Sequence, residues 1–165
     1  MHDHESGPVI AGRCTFQVED FAKAFAEATE LTRRHYDEIA KNKDVMVLDP
    51  DRDFYAAAKD TLLLVTARHE GALAGYFLWV LIQHPHYRTV RLADEDLHFL
   101  APEYRQGMTG YRLMKAARDA AIARGAKLLM MREKIGHERP GVLRRLGFAP
   151  ADINHILIVR GDSCP

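Results

Sequence analysis

Three strand-like apolar runs follow one another between Leu62 and Leu100, and from Gly107 the apolar spacing lengthens to that of a helix. Leu62 to Arg68 is a leucine-rich and β-branched run, and His69, Glu70 and Gly71 make the turn after it. Leu73 to Ile82 is rich in aromatic and aliphatic residues and reads as the next strand. Gln83, His84, Pro85, His86 and Tyr87 form a second turn, because a proline cannot sit in a central ladder. Thr89 to Leu100 is a third, long strand. Strands joined by short turns must pair antiparallel, so this region is a meander. Gly107 to Arg124 is then helical, with a buried stripe of Leu113, Met114, Ala116, Ala117, Ala120 and Ala121, and Gly125 ends it. Leu128 to Met131 is short and wholly apolar, which predicts a strand buried on both faces and parallel to the one before. The class is therefore α/β: a mixed, mostly antiparallel sheet with a βαβ unit.

The flanks complete the layout. Cys14 to Val18 reads as a first strand. Asp20 caps a helix running to about Ala40, with Phe21, Ala24, Phe25, Ala28, Leu31, Thr32, His35 and Ile39 on one face. Asp49 and Pro50 start a short helix ending near Lys59. Gly141 to Leu146 is a short helix ended by Gly147, and His155 to Val159 is a last strand. No repeat or low-complexity linker divides the chain, and its 165 residues suit one domain, with 1–8 and 161–165 as loose tails.

Composition narrows the function. Lys+Arg and Asp+Glu balance at 23 each, which argues against sequence-independent nucleic-acid binding. Cys14 and Cys164 stand at opposite ends, which is neither a disulfide framework nor a zinc spacing. Free thiols and the absence of a signal peptide or a membrane-length apolar run lead to a cytoplasmic expectation with no membrane partner.

The segment that carries chemistry is Leu97-His98-Phe99-Leu100-Ala101-Pro102-Glu103-Tyr104-Arg105-Gln106-Gly107-Met108-Thr109-Gly110. A strand runs through a glycine-containing turn into a helix. The free N–H groups of that helix start, backed by its dipole, make an anion site. The spacing is neither a Walker A loop nor a dinucleotide fingerprint.

Here the chain resembles the GNAT superfamily of N-acetyltransferases, whose pyrophosphate loop reads R/Q-x-x-G-x-G/A after an apolar-x-Pro turn. Arg105 and Gly110 match its first and last positions, while Met108 replaces the middle glycine and Gly107 lies one residue earlier. The resemblance runs from about Leu62 to Val159, includes Gly71, Gly75 and Leu146-Gly147-Phe148, and extends to small phage-type acetyltransferase-like proteins. It implies acetyl-CoA as co-substrate, lying between the third meander strand and the strand after the loop helix. By that resemblance, backbone groups of His98, Phe99 and Leu100 would bond pantetheine. Arg105, Gln106, Gly107, Met108, Thr109 and Gly110 would hold the pyrophosphate, with Arg105 as a mobile positive charge. The family's thiolate-protonating tyrosine falls at Leu143, so that acid is missing here, and His137 is the substitute candidate.

Attack on a thioester requires a neutral amine, so a group must take its proton. Asp94, Glu95 and Asp96 precede the loop on one strand and alternate faces. In a regular strand Asp94 and Asp96 share a face with His98, which makes these two the candidate bases, and a bulge there would shift the parity. His84, His86 and Tyr87 cluster in one turn. His-x-His can bind a metal, but no third ligand is evident, so no metal is assigned. The resemblance places this turn near the acceptor side and implies a role toward the acceptor, with an ordinary exposed turn as the alternative. His35 lies on an apolar helix face, as core histidines do, and a contact to the acceptor is the lesser reading. The expected function is acetyl transfer to the amine of a small molecule or peptide by direct attack. The alternatives are a non-catalytic protein that binds a CoA ligand and an enzyme acting on a nucleic-acid-linked amine. A homodimer is left open.

Overall fold

The structure is a computed structural model that describes residues 13–159. The tails expected at 1–8 and 161–165 lie outside the described residues. β1 (Thr15–Glu19) leads into α1 (Phe21–Glu27), α2 (Thr29–Ile39) and α3 (Arg52–Ala57). A single 3₁₀ turn (Lys59–Thr61) then opens the meander of β2 (Leu62–His69), β3 (Ala72–Gln83) and β4 (Arg91–Leu100). A second 3₁₀ turn (Pro102–Tyr104) precedes α4 (Thr109–Ala123), β5 (Ala126–Met130) and α5 (Pro140–Arg145). The sheet runs β1-β2-β3-β4-β5, antiparallel throughout except for the parallel β4–β5 pair. This is the expected mixed α/β sheet with its βαβ unit.

The meander residues alternate between two cores, as a period of two requires. Leu63, Val65, Phe77, Trp79 and Ala93 face α4, where Leu113, Met114, Ala117 and Ala121 meet them. Trp79 is fully buried and donates its indole N–H to the Ala117 carbonyl at 2.9 Å, which satisfies the one polar atom that its burial would otherwise orphan. Leu62, Leu64, Tyr76, Leu78 and Phe99 face the other way, against Ala24 and Leu31 of α1 and α2. Each large apolar side chain buried here contributes about 1.5–3 kcal/mol. Gly75 stands opposite Leu100, where an added Cβ would lie 2.6 Å from the Phe99 carbonyl oxygen, so only glycine lets β3 approach β4 so closely.

Several local expectations are corrected. The helix after Asp20 is two helices. Asp20 does accept the Lys23 N–H, but Ala28 closes α1 on Ala24 and Phe25 and its own carbonyl then starts α2. The third helix begins at Asp51, not Asp49, because the Asp51 carboxylate is the one that accepts the Phe54 N–H, at 2.8 Å. β5 is not buried on both faces. It is the sheet edge, α4 covers one side only, and Leu128 on the other is 40 % exposed. Residues 151–159 form no strand: Ile156, Leu157 and Val159 pair with nothing among the described residues and are largely exposed. High β-propensity does not make a strand without a partner edge. No described helix is long and apolar enough to cross a membrane.

Candidate functional site

β4 pairs with β5 only through Arg91–Asp94, and beyond Asp94 the two strands part. Among the described residues, Glu95–Leu100 therefore have β3 on one side and no strand partner on the other, which leaves an open edge. Ala101 donates its N–H to the Ala74 carbonyl, toward β3. Backbone direction alternates along a strand, so Phe99 also faces β3, while His98 and Leu100 face the opening. Two of the three expected pantetheine partners thus present their amides there. Phe99 does not, because its amide is committed to the ladder with Tyr76.

The opening leads into the loop before α4. Gly107 adopts φ +59 with nothing within 4 Å of where a Cβ would lie, a left-handed conformation that glycine takes without strain. Among the described residues the N–H groups of Gln106, Gly107, Met108, Gly110 and Tyr111 have no backbone acceptor, and no side chain caps α4. Several free donors at the positive end of a 15-residue helix make an anion site. Thr109 contributes less, since both its N–H and its hydroxyl donate to the Gln106 carbonyl. Arg105 is not the mobile charge expected. Its Nε donates to the Leu100 carbonyl at 2.7 Å, its guanidinium pairs with Glu38 at 2.7 Å, and it lies over the Phe99 ring at 5.2 Å.

The strand is not regular where the acids stand. Leu78 pairs with Leu97 and Trp79 with Glu95, so Asp96 is the extra residue of a β-bulge. The bulge reverses the face of everything before it, and Asp94 and Asp96 do not share a face with His98. Asp94 pairs with Arg132 at 2.9 Å. Asp96 accepts the Tyr55 hydroxyl of α3 at 3.0 Å, and desolvation there pushes its pKa up.

The residue that meets His98 is Glu95, which regular alternation passes over. The Glu95 carboxylate is buried, with Oε1 on His98 Nδ1 and Oε2 accepting the Arg132 N–H at 2.8 Å. His98 stacks on Phe77 at 5.4 Å, and its Nε2 meets the guanidinium of Arg139, which sits just before α5. Arginine has no acceptor, so Nε2 carries no hydrogen and Nδ1 carries it toward the carboxylate. A glutamate three residues before a histidine is the only sequence signal for this pair, and it becomes legible only once the bulge is known.

The other candidates lie elsewhere. His137 is exposed, and Arg139, not His137, reaches His98. Leu143 packs against the α4-side core. His35 is 5 % exposed, bonded to the Tyr76 hydroxyl at 2.8 Å and stacked on Phe99 at 4.8 Å. Burial pushes its pKa down to about 4, so it is a neutral core residue and the contact to an acceptor gives way. His84, His86 and Tyr87 contact one another in the exposed β3–β4 turn. That turn precedes the first residue of β4, and His98 lies near its last, roughly 25 Å further along at about 3.3 Å per residue.

No family model matches the chain, and no curated protein matches it by sequence. Solved structures do match in fold. An aminoglycoside acetyltransferase from an uncultured soil metagenomic sample superposes with TM-score 0.69 at 12 % identity, over 89 % of this chain and 96 % of that one. The ribosomal-protein-alanine N-acetyltransferase of Brucella melitensis biovar Abortus 2308 gives 0.69 at 17 % identity, over 92 % and 100 %. A predicted acetyltransferase of Clostridium acetobutylicum, solved with acetyl-CoA, gives 0.65 at 17 %, over 88 % and 96 %. The chain has the fold of the GNAT N-acetyltransferases.

Proposed function

We propose that this protein binds acetyl-CoA and transfers its acetyl group to the amine of a small molecule or peptide. The observation that carries the reading is the unpaired edge of β4 beyond Asp94, which leads into free N–H groups at the start of α4. An elongated ligand with an amide-bearing arm and an anionic end fits that succession of groups. The edges of His98 and Leu100 would take the arm, and the amides of Gln106, Gly107, Met108 and Gly110 would take the pyrophosphate. Solved structures of the same fold include one with acetyl-CoA bound. The amine nitrogen attacks the thioester carbonyl, the C–S bond breaks, and the thiolate leaves. The protein contributes position and backbone N–H groups near the carbonyl oxygen. No cysteine stands in the loop, so an acetyl-enzyme is not part of the scheme.

One observation favours a second reading, a protein that holds a CoA ligand without turnover. Leu143, where the resemblance places the thiolate-protonating tyrosine, is apolar, half-buried and packed against the α4-side core. A single experiment separates the two. Calorimetric titration with acetyl-CoA tests binding, and thiol release in the presence of a panel of amines tests transfer. Binding with thiol release and acetylated product supports the enzyme. Binding with neither supports the carrier, and absence of binding refutes both.

A further inference from the structure

Resting on the acetyltransferase reading, we infer that His98 is the general base, with Glu95 as the residue that positions it. Three features of the geometry carry this. First, His98 stands on the part of β4 that has no β5 partner, yet its Nε2 meets Arg139, which follows β5 in the chain. The ring's lone-pair nitrogen therefore points away from Glu95, toward the segment between β5 and α5. Second, the ring is held: Phe77 stacks against it, and its Nδ1 donates to a buried carboxylate. Third, that carboxylate is fixed independently by the Arg132 N–H, so its place does not depend on the histidine. A fixed carboxylate on Nδ1 selects the tautomer whose Nε2 can accept a proton, and it stabilises the imidazolium that forms.

The acids at 94 and 96 are each taken by another group, Arg132 and Tyr55, and face away from His98. The charged and titratable groups near the His98 ring are Glu95 on its own strand, Arg139 after β5, Arg132 one step away through Glu95, and His35 of α2 as a neutral ring.

The step balances without a co-reactant. The acceptor arrives as R–NH₃⁺ and displaces the Arg139 guanidinium from Nε2. His98 takes one proton, and the neutral amine attacks the carbonyl carbon. As the tetrahedral intermediate collapses, the C–S electron pair leaves with sulfur. The nitrogen's second proton passes to the thiolate, giving the free thiol and R–NH–CO–CH₃. His98 returns its proton to solvent. Overall, one ammonium and one thioester give one amide, one thiol and one proton.

The test uses the whole chain, acetyl-CoA and whichever amine of the panel the wild type acetylates. His98→Asn keeps a donor toward Glu95 but removes the base. Its kcat should fall about 10²–10⁴-fold, with the acidic limb of the pH–rate profile lost and acetyl-CoA affinity within about threefold of wild type. Glu95→Gln should lower kcat by about tenfold or more while acetyl-CoA still binds. It should also shift the His98 ring away from a single Nδ1–H tautomer in ¹⁵N NMR, a readout that needs no acceptor. Added imidazole should restore turnover to His98→Gly. Unchanged kcat and pH profile in His98→Asn would overturn the base alone. A His98 ring protonated on Nε2 in the wild type would overturn the positioning. A wild type that does not bind acetyl-CoA, or that acetylates no amine, would sink the function reading and the base together.

Discussion

Arg105 and Glu38 form a 2.7 Å ion pair that ties the loop after β4 to the last turns of α2. The same arginine donates to the Leu100 carbonyl, one of the groups on the open edge of β4. Its charge is therefore already placed beside the anion site before any ligand arrives. Arg105→Ala should weaken acetyl-CoA binding by about 1–3 kcal/mol, the scale of a charged hydrogen bond. Glu38→Gln should leave that affinity unchanged or slightly raise it, since the carboxylate competes with phosphate for the guanidinium. Its effect on stability should be under about 1 kcal/mol, because both partners are partly exposed. Calorimetry on both variants checks this. Equal losses of affinity in the two would mean that the arginine acts only as a brace.

Gly110→Asp should change stability and binding in opposite directions. A Cβ at this position would meet only Leu100 Cδ2, at an ordinary 3.9 Å, so the side chain fits. A carboxylate in the first turn of α4 interacts favourably with the helix dipole, worth about 0.3–1 kcal/mol. The same charge lies where a pyrophosphate would sit and repels it. The variant should melt at or slightly above the wild-type temperature while losing measurable acetyl-CoA affinity. A folded Gly110→Asp protein that binds normally would remove the pyrophosphate from this loop.

Most of the sheet was legible because its signals are local. The turns at Glu70-Gly71 and around Pro85, and the change of apolar period after Gly107, each need only a few neighbouring residues to be read. The loop before α4 was legible for the same reason, since glycine and helix-start chemistry sit in consecutive positions. What the sequence hides depends on partners far along the chain. Asp96 becomes a bulge through its pairing with β3, and that one extra residue decides whether Asp94 or Glu95 shares a face with His98. Arg139 comes from 41 residues away, so no spacing rule could attach it to His98. The segment at Ile156 to Val159 has a strand's composition but finds no edge, which composition alone does not reveal.

His35 sets an expected pH dependence of stability. Its folded pKa of about 4 lies below its ordinary 6.5, because burial between Tyr76 and Phe99 penalises the charged form. Between those values the unfolded chain binds the proton and the folded chain does not. Stability is therefore unaffected above about pH 6.5 and is lost as pH falls from there toward 4. The full loss is at most about 3 kcal/mol. In His35→Gln this part of the dependence should vanish, so the wild-type and variant curves from urea denaturation should converge toward acid. Parallel curves from pH 7 to 4 would show that His35 charges freely in the folded protein.

Asp94 and Asp96 supply the sharpest contrast with His98, because a regular strand would have made them the bases. Each carboxylate already has a partner: Arg132 for Asp94, and the Tyr55 hydroxyl for Asp96. Desolvation raises the pKa of Asp96, which by itself would suit a base. That carboxylate, however, is held by the Tyr55 hydroxyl of α3 and not by the His98 ring. Asp94→Asn and Asp96→Asn should therefore lower kcat by less than about threefold, far short of the usual loss for a general base. Tyr55→Phe should act on stability instead, costing about 1 kcal/mol as the Asp96 carboxylate loses its donor. Steady-state kinetics and thermal melts on the three variants check this directly. A loss of a hundredfold or more in kcat for Asp96→Asn, with acetyl-CoA affinity intact, would move the base to the bulge and reduce Glu95 and His98 to structural closure of the opening.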